Sequence, residues 1–199
     1  MDTDINKKRI LLALLRNISK RYTLTALAEE IKMTRMGAWK IIKKLEAEKM
    51  IKITSLGKGR TSTQEMTLNW DNVLLENTLS LYLLQEAFVQ ERWYDNFKDL
   101  KDCVDFTILY GSILNSPDKA NDIDIINITS KKRGFVKIDE IIRKKQLVES
   151  KKIHDINFTP QEFKLELNKP NKAFIHALKT GIVLYNQDNF VNFIKEMRK

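Results

Sequence analysis

Two aspartates separated by a single isoleucine, within an apolar run, are the residues of this sequence best suited to chemistry. They are Asp122 and Asp124, at the end of the stretch YGSILNSPDKANDIDI, which covers residues 110–125. Carboxylates in apolar surroundings are costly to bury. Alternate residues of a strand share one face, so the pair is predicted to point the same way and to need a cation between its charges. Mg²⁺ takes carboxylate oxygens together with the phosphates of a substrate.

Gly111 and Ser112, at the other end of this stretch, add features that a phosphate group needs. A glycine lets a phosphate approach the backbone closely. The serine offers a hydroxyl and an N–H in a turn of the kind that forms anion-binding concavities. The stretch therefore predicts a metal–nucleoside triphosphate site, with Gly111 and Ser112 binding nucleotide and with Asp122 and Asp124 as ligands of the cofactor Mg²⁺.

The order of these parts resembles the nucleotidyltransferase superfamily that includes DNA polymerase beta, and most closely its minimal, archaeal-type members. The likeness rests on an apolar strand, Gly-Ser, a short spacer and Asp-Ile-Asp, and it covers about residues 100–199. It implies Mg²⁺-dependent transfer of a nucleoside monophosphate to a hydroxyl group, with ATP as the expected donor and pyrophosphate as the leaving group. The acceptor stays open between a protein such as a toxin, an RNA end and a small molecule.

The resemblance also implies a third carboxylate on the next strand, which would complete a catalytic set with Asp122 and Asp124. The stretch KIHDINF offers Asp155, with His154 directly before it. Neighbouring residues of a strand face opposite ways, so only one of these two side chains can point at the metal. Asp155 is the predicted catalytic residue. His154 is the open alternative, and it would favour nucleotide binding with slow turnover or none.

The elements that must position these residues follow from the patterns after residue 105. Thr159 and Pro160 are expected to begin a helix as its cap and first residue. Together the strands and helices predict a small mixed α/β domain over residues 102–199. Apolar runs predict strands in FTILYGS, DIDIINIT, KIHDINF and IVLYN, and helical spacing predicts helices in VKIDEIIRKKQLVESK, TPQEFKLELNK, KAFIHALKTG and DNFVNFIKEMRK.

The first third of the chain has the pattern of a different domain, predicted over residues 1–69. After one helix, the stretch YTLTALAEEIKMTRMGAWKIIKKLEAEKMIKI predicts two more, with Thr23 and Thr34 as N-caps. Two strands around the tip SLGKGRTST follow. This arrangement resembles the winged helix-turn-helix of archaeal and bacterial transcription regulators.

That second resemblance implies that the helix after Thr34 enters the major groove of double-stranded DNA while the tip touches the backbone. Trp39 has two open roles, contact with a thymine methyl or a sugar and cover for the flank of the domain, and cover for the flank is favoured. The predicted DNA-binding residues are Arg35, Met36, Trp39, Lys40 and Lys43 on the helix and Lys58 and Arg60 on the tip.

The distribution of charge supports a polyanionic partner for this first domain. Residues 1–60 contain 15 Lys and Arg against 6 Asp and Glu, whereas residues 61–199 contain 20 of each. The formal net charge of +9 therefore lies entirely in the first 60 residues. A localised excess of this kind favours DNA, and the alternative is a winged helix used for protein contacts.

Residues 70–101 are predicted as a bridging helical segment, built as one long helix or two shorter ones, and its aromatic residues leave homodimerisation open. The predicted fold class is thus α+β: a winged helix-turn-helix, a bridging helix and a small nucleotidyltransferase domain. One cysteine and the lack of any run near the roughly 20 apolar residues of a membrane span favour a cytoplasmic protein with no membrane partner.

Three functions are compatible with these patterns. The leading hypothesis is a DNA-binding nucleotidyltransferase, such as an autoregulating antitoxin-type modifier. The alternative is a transcription regulator whose transferase-like domain has lost catalysis and senses a nucleotide or mediates dimerisation. The third is an enzyme that modifies nucleic-acid ends presented by the basic domain.

Overall fold

Helices alternate with two separate small sheets along the chain, so the fold is α+β, as the sequence predicts. The structure is a computed structural model that describes residues 3–18, 20–57, 63–169 and 172–198. Its contacts divide the chain into two compact units. The first comprises Met1–Tyr82 with Ile194–Lys199, and the second comprises Leu83–Phe193.

The first unit combines helices with a three-stranded antiparallel sheet whose strand order is β1-β3-β2. Strands β2 and β3 pair over their full length, from Ile51 opposite Leu68 to Leu56 opposite Thr63. Its elements are α1 (Thr3–Arg16), β1 (Tyr22–Thr23), α2 (Leu24–Glu30), α3 (Arg35–Ala47), β2 (Ile51–Leu56) and β3 (Thr63–Leu68), followed by the start of α4 (Val73–Val89).

Side-chain caps set the starts of α2 and α3, as the sequence predicts. The Thr23 hydroxyl accepts a hydrogen bond from the Ala26 N–H at 3.3 Å, and the Thr34 hydroxyl accepts one from the Gly37 N–H at 3.1 Å. Each cap satisfies one backbone donor that the first turn leaves without a partner. The inward face of α3 is buried, and it consists of Ala38, Ile41, Ile42 and Leu45.

The second unit contains a four-stranded sheet with the order β6-β5-β4-β7. Strand β4 is antiparallel to both β5 and β7, whereas β5 and β6 are parallel. A parallel pair needs a crossover connection, which α6 supplies here. After α4 come α5 (Glu91–Asn96), β4 (Phe106–Tyr110), β5 (Asp122–Ile128), α6 (Gly134–Gln146), β6 (Lys152–Phe158), α7 (Pro160–Asn168), α8 (Lys172–Thr180), β7 (Ile182–Tyr185) and α9 (Gln187–Met197).

Both faces of this sheet are covered by apolar side chains. One face packs Leu109, Ile123, Ile125 and Ile153 with residues of α5 and α6. The other face carries a cluster of phenylalanine rings in edge-to-face and stacked contacts. The rings belong to Phe106, Phe158, Phe163, Phe174, Phe190 and Phe193. Strand β5 is therefore held from both sides, which fixes the direction of each of its side chains.

The segment predicted to bridge the domains contains α4, α5 and a 3₁₀ turn at Lys98–Leu100, so it is more than one helix. The boundary between the two units falls inside α4, between Tyr82 and Leu83. Within the described ranges, no helix is long and apolar enough to cross a membrane.

Candidate functional site

The register of three neighbouring strands brings Tyr110, Asp124 and His154 into one row. Tyr110 on β4 lies opposite Asp124 on β5, and Asp124 lies beside His154 on β6. Asp122, two residues before Asp124, shares this face of the sheet. These four side chains therefore project from one face, beyond the end of the phenylalanine cluster.

Asp122, Asp124 and His154 form a cluster in which each residue offers one ligand atom within 4.8 Å of the others. The His154 Nδ1 atom lies 3.5 Å from Asp122 Oδ2 and 3.5 Å from Asp124 Oδ1. The side chains are partly open to solvent, with 42% of His154, 36% of Asp122 and 24% of Asp124 exposed. The cluster is therefore accessible from solvent.

Asp155 points away from this cluster, so the prediction that it converges with Asp122 and Asp124 is wrong. It lies beside Ile125, whose side chain faces the opposite side of the sheet. The Oδ2 atom of Asp155 accepts a hydrogen bond from the Asn157 amide at 2.7 Å. The strand register instead places His154 beside Asp122 and Asp124, where the third carboxylate was expected. This is the alternative that the sequence left open.

Asp155 ends a chain of hydrogen bonds that crosses the sheet. The Thr107 hydroxyl donates to Asn127 Oδ1 at 2.8 Å, and the Asn127 amide donates to Asn157 Oδ1 at 2.9 Å. The Asn157 amide then donates to Asp155. Thr107 and Asn127 are fully buried, and this chain satisfies polar groups that would otherwise be costly there. Asp155 thus has a structural partner rather than a place in the cluster.

Gly111 is required where it stands, for two reasons. Its φ of +87° lies in the left-handed region that side chains disfavour. A Cβ atom at this position would also lie 2.4 Å from Asp124 Oδ2. Ser112 follows, exposed, at the start of the 3₁₀ turn Ser112–Leu114. The turn after β4 therefore brings bare backbone against the Asp124 carboxylate, next to an exposed hydroxyl.

Burial and charge repulsion both act on the acidic groups of this cluster. Burial raises the pKa of Asp124, and the neighbouring Asp122 carboxylate raises it further, while His154 opposes both effects. Burial and the charges of Asp124 and Asp122 likewise raise the pKa of Tyr110. An additional positive charge at this position would relieve the repulsion.

Tyr110 is the member of the row that sequence reasoning did not single out. The signal for it was available, because a residue that directly precedes the Gly-Ser turn at the end of an apolar strand must lie next to whatever the turn holds. Which face of the sheet the Tyr110 side chain occupies, however, depends on the pairing of β4 with β5.

The predicted DNA-binding residues of α3 lie on the side of that helix away from the core. Arg35, Met36, Lys40 and Lys43 are exposed, whereas Trp39 is half-buried. The Lys43 ammonium lies 5.4 Å from the centre of the Trp39 ring and also pairs with Glu46. Across the ranges that the structure describes, neither Arg35 nor Lys40 pairs with a carboxylate. Lys58 and Arg60 lie outside the described residues.

Comparison with known proteins gives no match for this chain among protein-family models, curated proteins or solved structures.

Proposed function

We propose that this protein is a DNA-binding regulator whose second unit binds a nucleoside triphosphate with a divalent cation and transfers nucleotide slowly or not at all. The observation that carries the proposal is the placement of His154, rather than Asp155, beside Asp122 and Asp124. This placement favours the nucleotide-sensing alternative over the efficient transferase.

The triphosphate is expected at the turn after β4. Gly111 allows the backbone of this turn to lie against the Asp124 carboxylate because it has no Cβ. Its neighbour Ser112 is exposed and offers a hydroxyl and an N–H to a phosphate. Asp122 and Asp124 would hold the divalent cation, which when bound would neutralise charge on the phosphates. Burial, and next the Asp122 carboxylate, raise the pKa of Asp124, and a bound cation would offset both effects.

The side chain beside Asp122 and Asp124, which is His154, decides how well such a site performs nucleotidyl transfer. Nucleotidyl transfer with two metals needs enough negative charge to hold both cations. Three carboxylates supply three negative charges, whereas Asp122 and Asp124 supply two and the imidazole of His154 adds none. Fewer charges weaken the hold on a second cation, so binding is favoured over turnover.

DNA binding is proposed for the first unit because its exposed helix face and its charge agree. Arg35 and Lys40 are exposed and are not paired with acids among the described residues, and the whole net positive charge lies in residues 1–60. Lys and Arg side chains of this kind neutralise phosphates and can also contact base edges.

The nucleotide proposal is tested with labelled ATP. Wild-type protein should bind ATP in the presence of a divalent cation, and Asp122→Ala/Asp124→Ala should abolish that binding. Transfer of label to the protein itself or to lysate components should be slow or undetectable. Undiminished ATP affinity in the double variant would refute the site, and a matched Asp118→Ala/Asp139→Ala variant controls for the loss of two exposed acids.

His154 also supports a second candidate function, that of an active transferase. Its Nδ1 atom lies equally close to both aspartates, and an imidazole can accept a proton from a hydroxyl acceptor as a general base. If this is correct, wild-type protein transfers label and His154→Ala abolishes the transfer without abolishing ATP binding. Under the regulator proposal, His154→Asp instead gains transfer activity.

A further inference from the structure

The cluster at the candidate site contains a nitrogen ligand where the sequence led us to expect an oxygen. Carboxylate, carbonyl and water oxygens suit Mg²⁺, whereas imidazole suits zinc and other first-row transition metals. Asp122 and Asp124 fit Mg²⁺, but His154 beside them does not. The full set of three donors therefore disagrees with the predicted cofactor.

We propose that Asp122, Asp124 and His154 bind a first-row transition-metal ion, of which Zn²⁺ is the best match, in preference to Mg²⁺. This inference rests on the proposed function in that it concerns the cation of the same site. It does not require a bound nucleotide, because the three side chains alone supply the preference for a transition metal over Mg²⁺.

Two of the three distances between donor atoms favour the same metals, and all three are within 4.8 Å. A tetrahedral zinc site, with its usual bond lengths to nitrogen and oxygen, separates adjacent ligand atoms by about 3.4 Å. An octahedral magnesium site separates adjacent oxygens by about 2.9 Å. The two distances from His154 Nδ1 to the aspartate oxygens are both 3.5 Å.

The cluster also leaves room for further ligands. All three side chains are partly exposed, so a further ligand can come from the solvent side. Three protein ligands with an open fourth position are typical of zinc sites that accept water or a substrate oxygen. Here that fourth position would be available to water or to a phosphate oxygen of the bound nucleotide.

The proposal is tested by metal binding to untagged, metal-stripped full-length protein without nucleotide. Zn²⁺ and Co²⁺ are titrated calorimetrically, with Mg²⁺ in parallel, and the visible absorption of bound Co²⁺ reports its ligand geometry. We expect one Zn²⁺ per chain, a tetrahedral Co²⁺ spectrum and much weaker binding of Mg²⁺.

Variants assign the site to its residues. His154→Ala should lower Zn²⁺ affinity on the order of 100-fold or more, because loss of a group that only supports a metal ligand already costs about 10- to 100-fold. His154→Asp should shift the preference towards Mg²⁺. The sequence contains two histidines, so His176→Ala on α8 is the matched control and should leave Zn²⁺ binding unchanged. Circular dichroism of each variant establishes that it is folded.

Two results would overturn the inference. Mg²⁺ binding as tight as Zn²⁺ binding and unaffected by His154→Ala would mean that the aspartates alone hold the cation, and the proposed nucleotide site would stand. No metal binding at all would mean that the three side chains do not form a metal site. In that case ATP binding, measured separately with Asp122→Ala/Asp124→Ala, decides whether the proposed function fails as well.

Discussion

Gly111 is the residue whose substitution separates backbone strain from loss of the site. Gly111→Ala should cost about 1–2 kcal/mol of folding free energy, because it forces a side chain into the left-handed region. It should also displace the Asp124 carboxylate, which a Cβ atom would approach to 2.4 Å. We therefore expect weaker ATP binding as well as a lower midpoint of urea unfolding.

Gly57→Ala is the matched control for that experiment. Gly57 has a φ of +101°, and among the described residues other than its chain neighbours no atom lies within 4 Å of the position that a Cβ would take. Its substitution should therefore cost similar stability and leave ATP binding unchanged. Equal ATP affinity in Gly111→Ala and wild-type protein would contradict the close approach as a feature of the site.

Asp155 and Asp124 should respond differently to substitution because they face opposite sides of the sheet. Asp155→Ala removes the acceptor for the Asn157 amide and should lower the free energy of unfolding by about 1 kcal/mol. It should leave ATP binding intact, whereas Asp124→Ala should abolish it. Equilibrium dialysis with labelled ATP measures the ATP affinity of both variants. An equal loss of ATP affinity in the two would contradict the observed register.

Among the secondary-structure elements, α7 shows how a local motif holds the end of β6. The Thr159 hydroxyl accepts from the Glu162 N–H at 3.2 Å, and the Thr159 N–H donates to Glu162 Oε2 at 2.8 Å. This capping box starts the helix directly after the strand that carries His154. Thr159→Ala should lower the free energy of unfolding by about 1 kcal/mol, measured by urea denaturation. Thr180→Ala, at the C-terminal end of α8, provides a threonine control without an N-cap.

The same capping box predicts a dependence of stability on pH. Hydrogen bonds from the backbone N–H and hydroxyl of Thr159 lower the pKa of Glu162 below its ordinary value of 4.5. Because the folded state favours the charged form, this contribution is present above pH 4.5 and is lost as pH falls through the lowered value. Urea midpoints between pH 7 and pH 3 should therefore fall less steeply in Glu162→Gln, and an unchanged slope would contradict the assignment.

For the molecule as a whole, the uneven distribution of charge predicts salt-dependent DNA binding. The excess of +9 lies in residues 1–60, so duplex affinity should fall steeply with salt through release of counterions. Arg35→Ala/Lys40→Ala should weaken binding and reduce the slope by about 1 for each phosphate contact removed. Fluorescence anisotropy over a range of salt concentrations measures both quantities.

A variant with the same loss of charge elsewhere is the control. Lys164→Ala/Lys172→Ala removes two exposed lysines of the second unit and should leave the affinity and its slope nearly unchanged. If both double variants weakened binding equally, total charge rather than the face of α3 would be responsible.

The elements and one half of the candidate site could be predicted from local sequence. Helix caps at Thr23, Thr34 and Thr159 are local, because each depends on residues within one turn. The common face of Asp122 and Asp124 is equally local, since the period of a strand is two. These features needed no knowledge of what packs against them.

The residue of β6 that completes the cluster, in contrast, depends on how the strands pair in three dimensions. The face of a strand is readable when one side is apolar and the other polar, but β6 has Ile153 on one side and Ile156 and Phe158 on the other. With both faces covered, its sequence favours neither His154 nor Asp155. The parallel pairing of β6 with β5 resolves this choice and places an imidazole where a third carboxylate was expected.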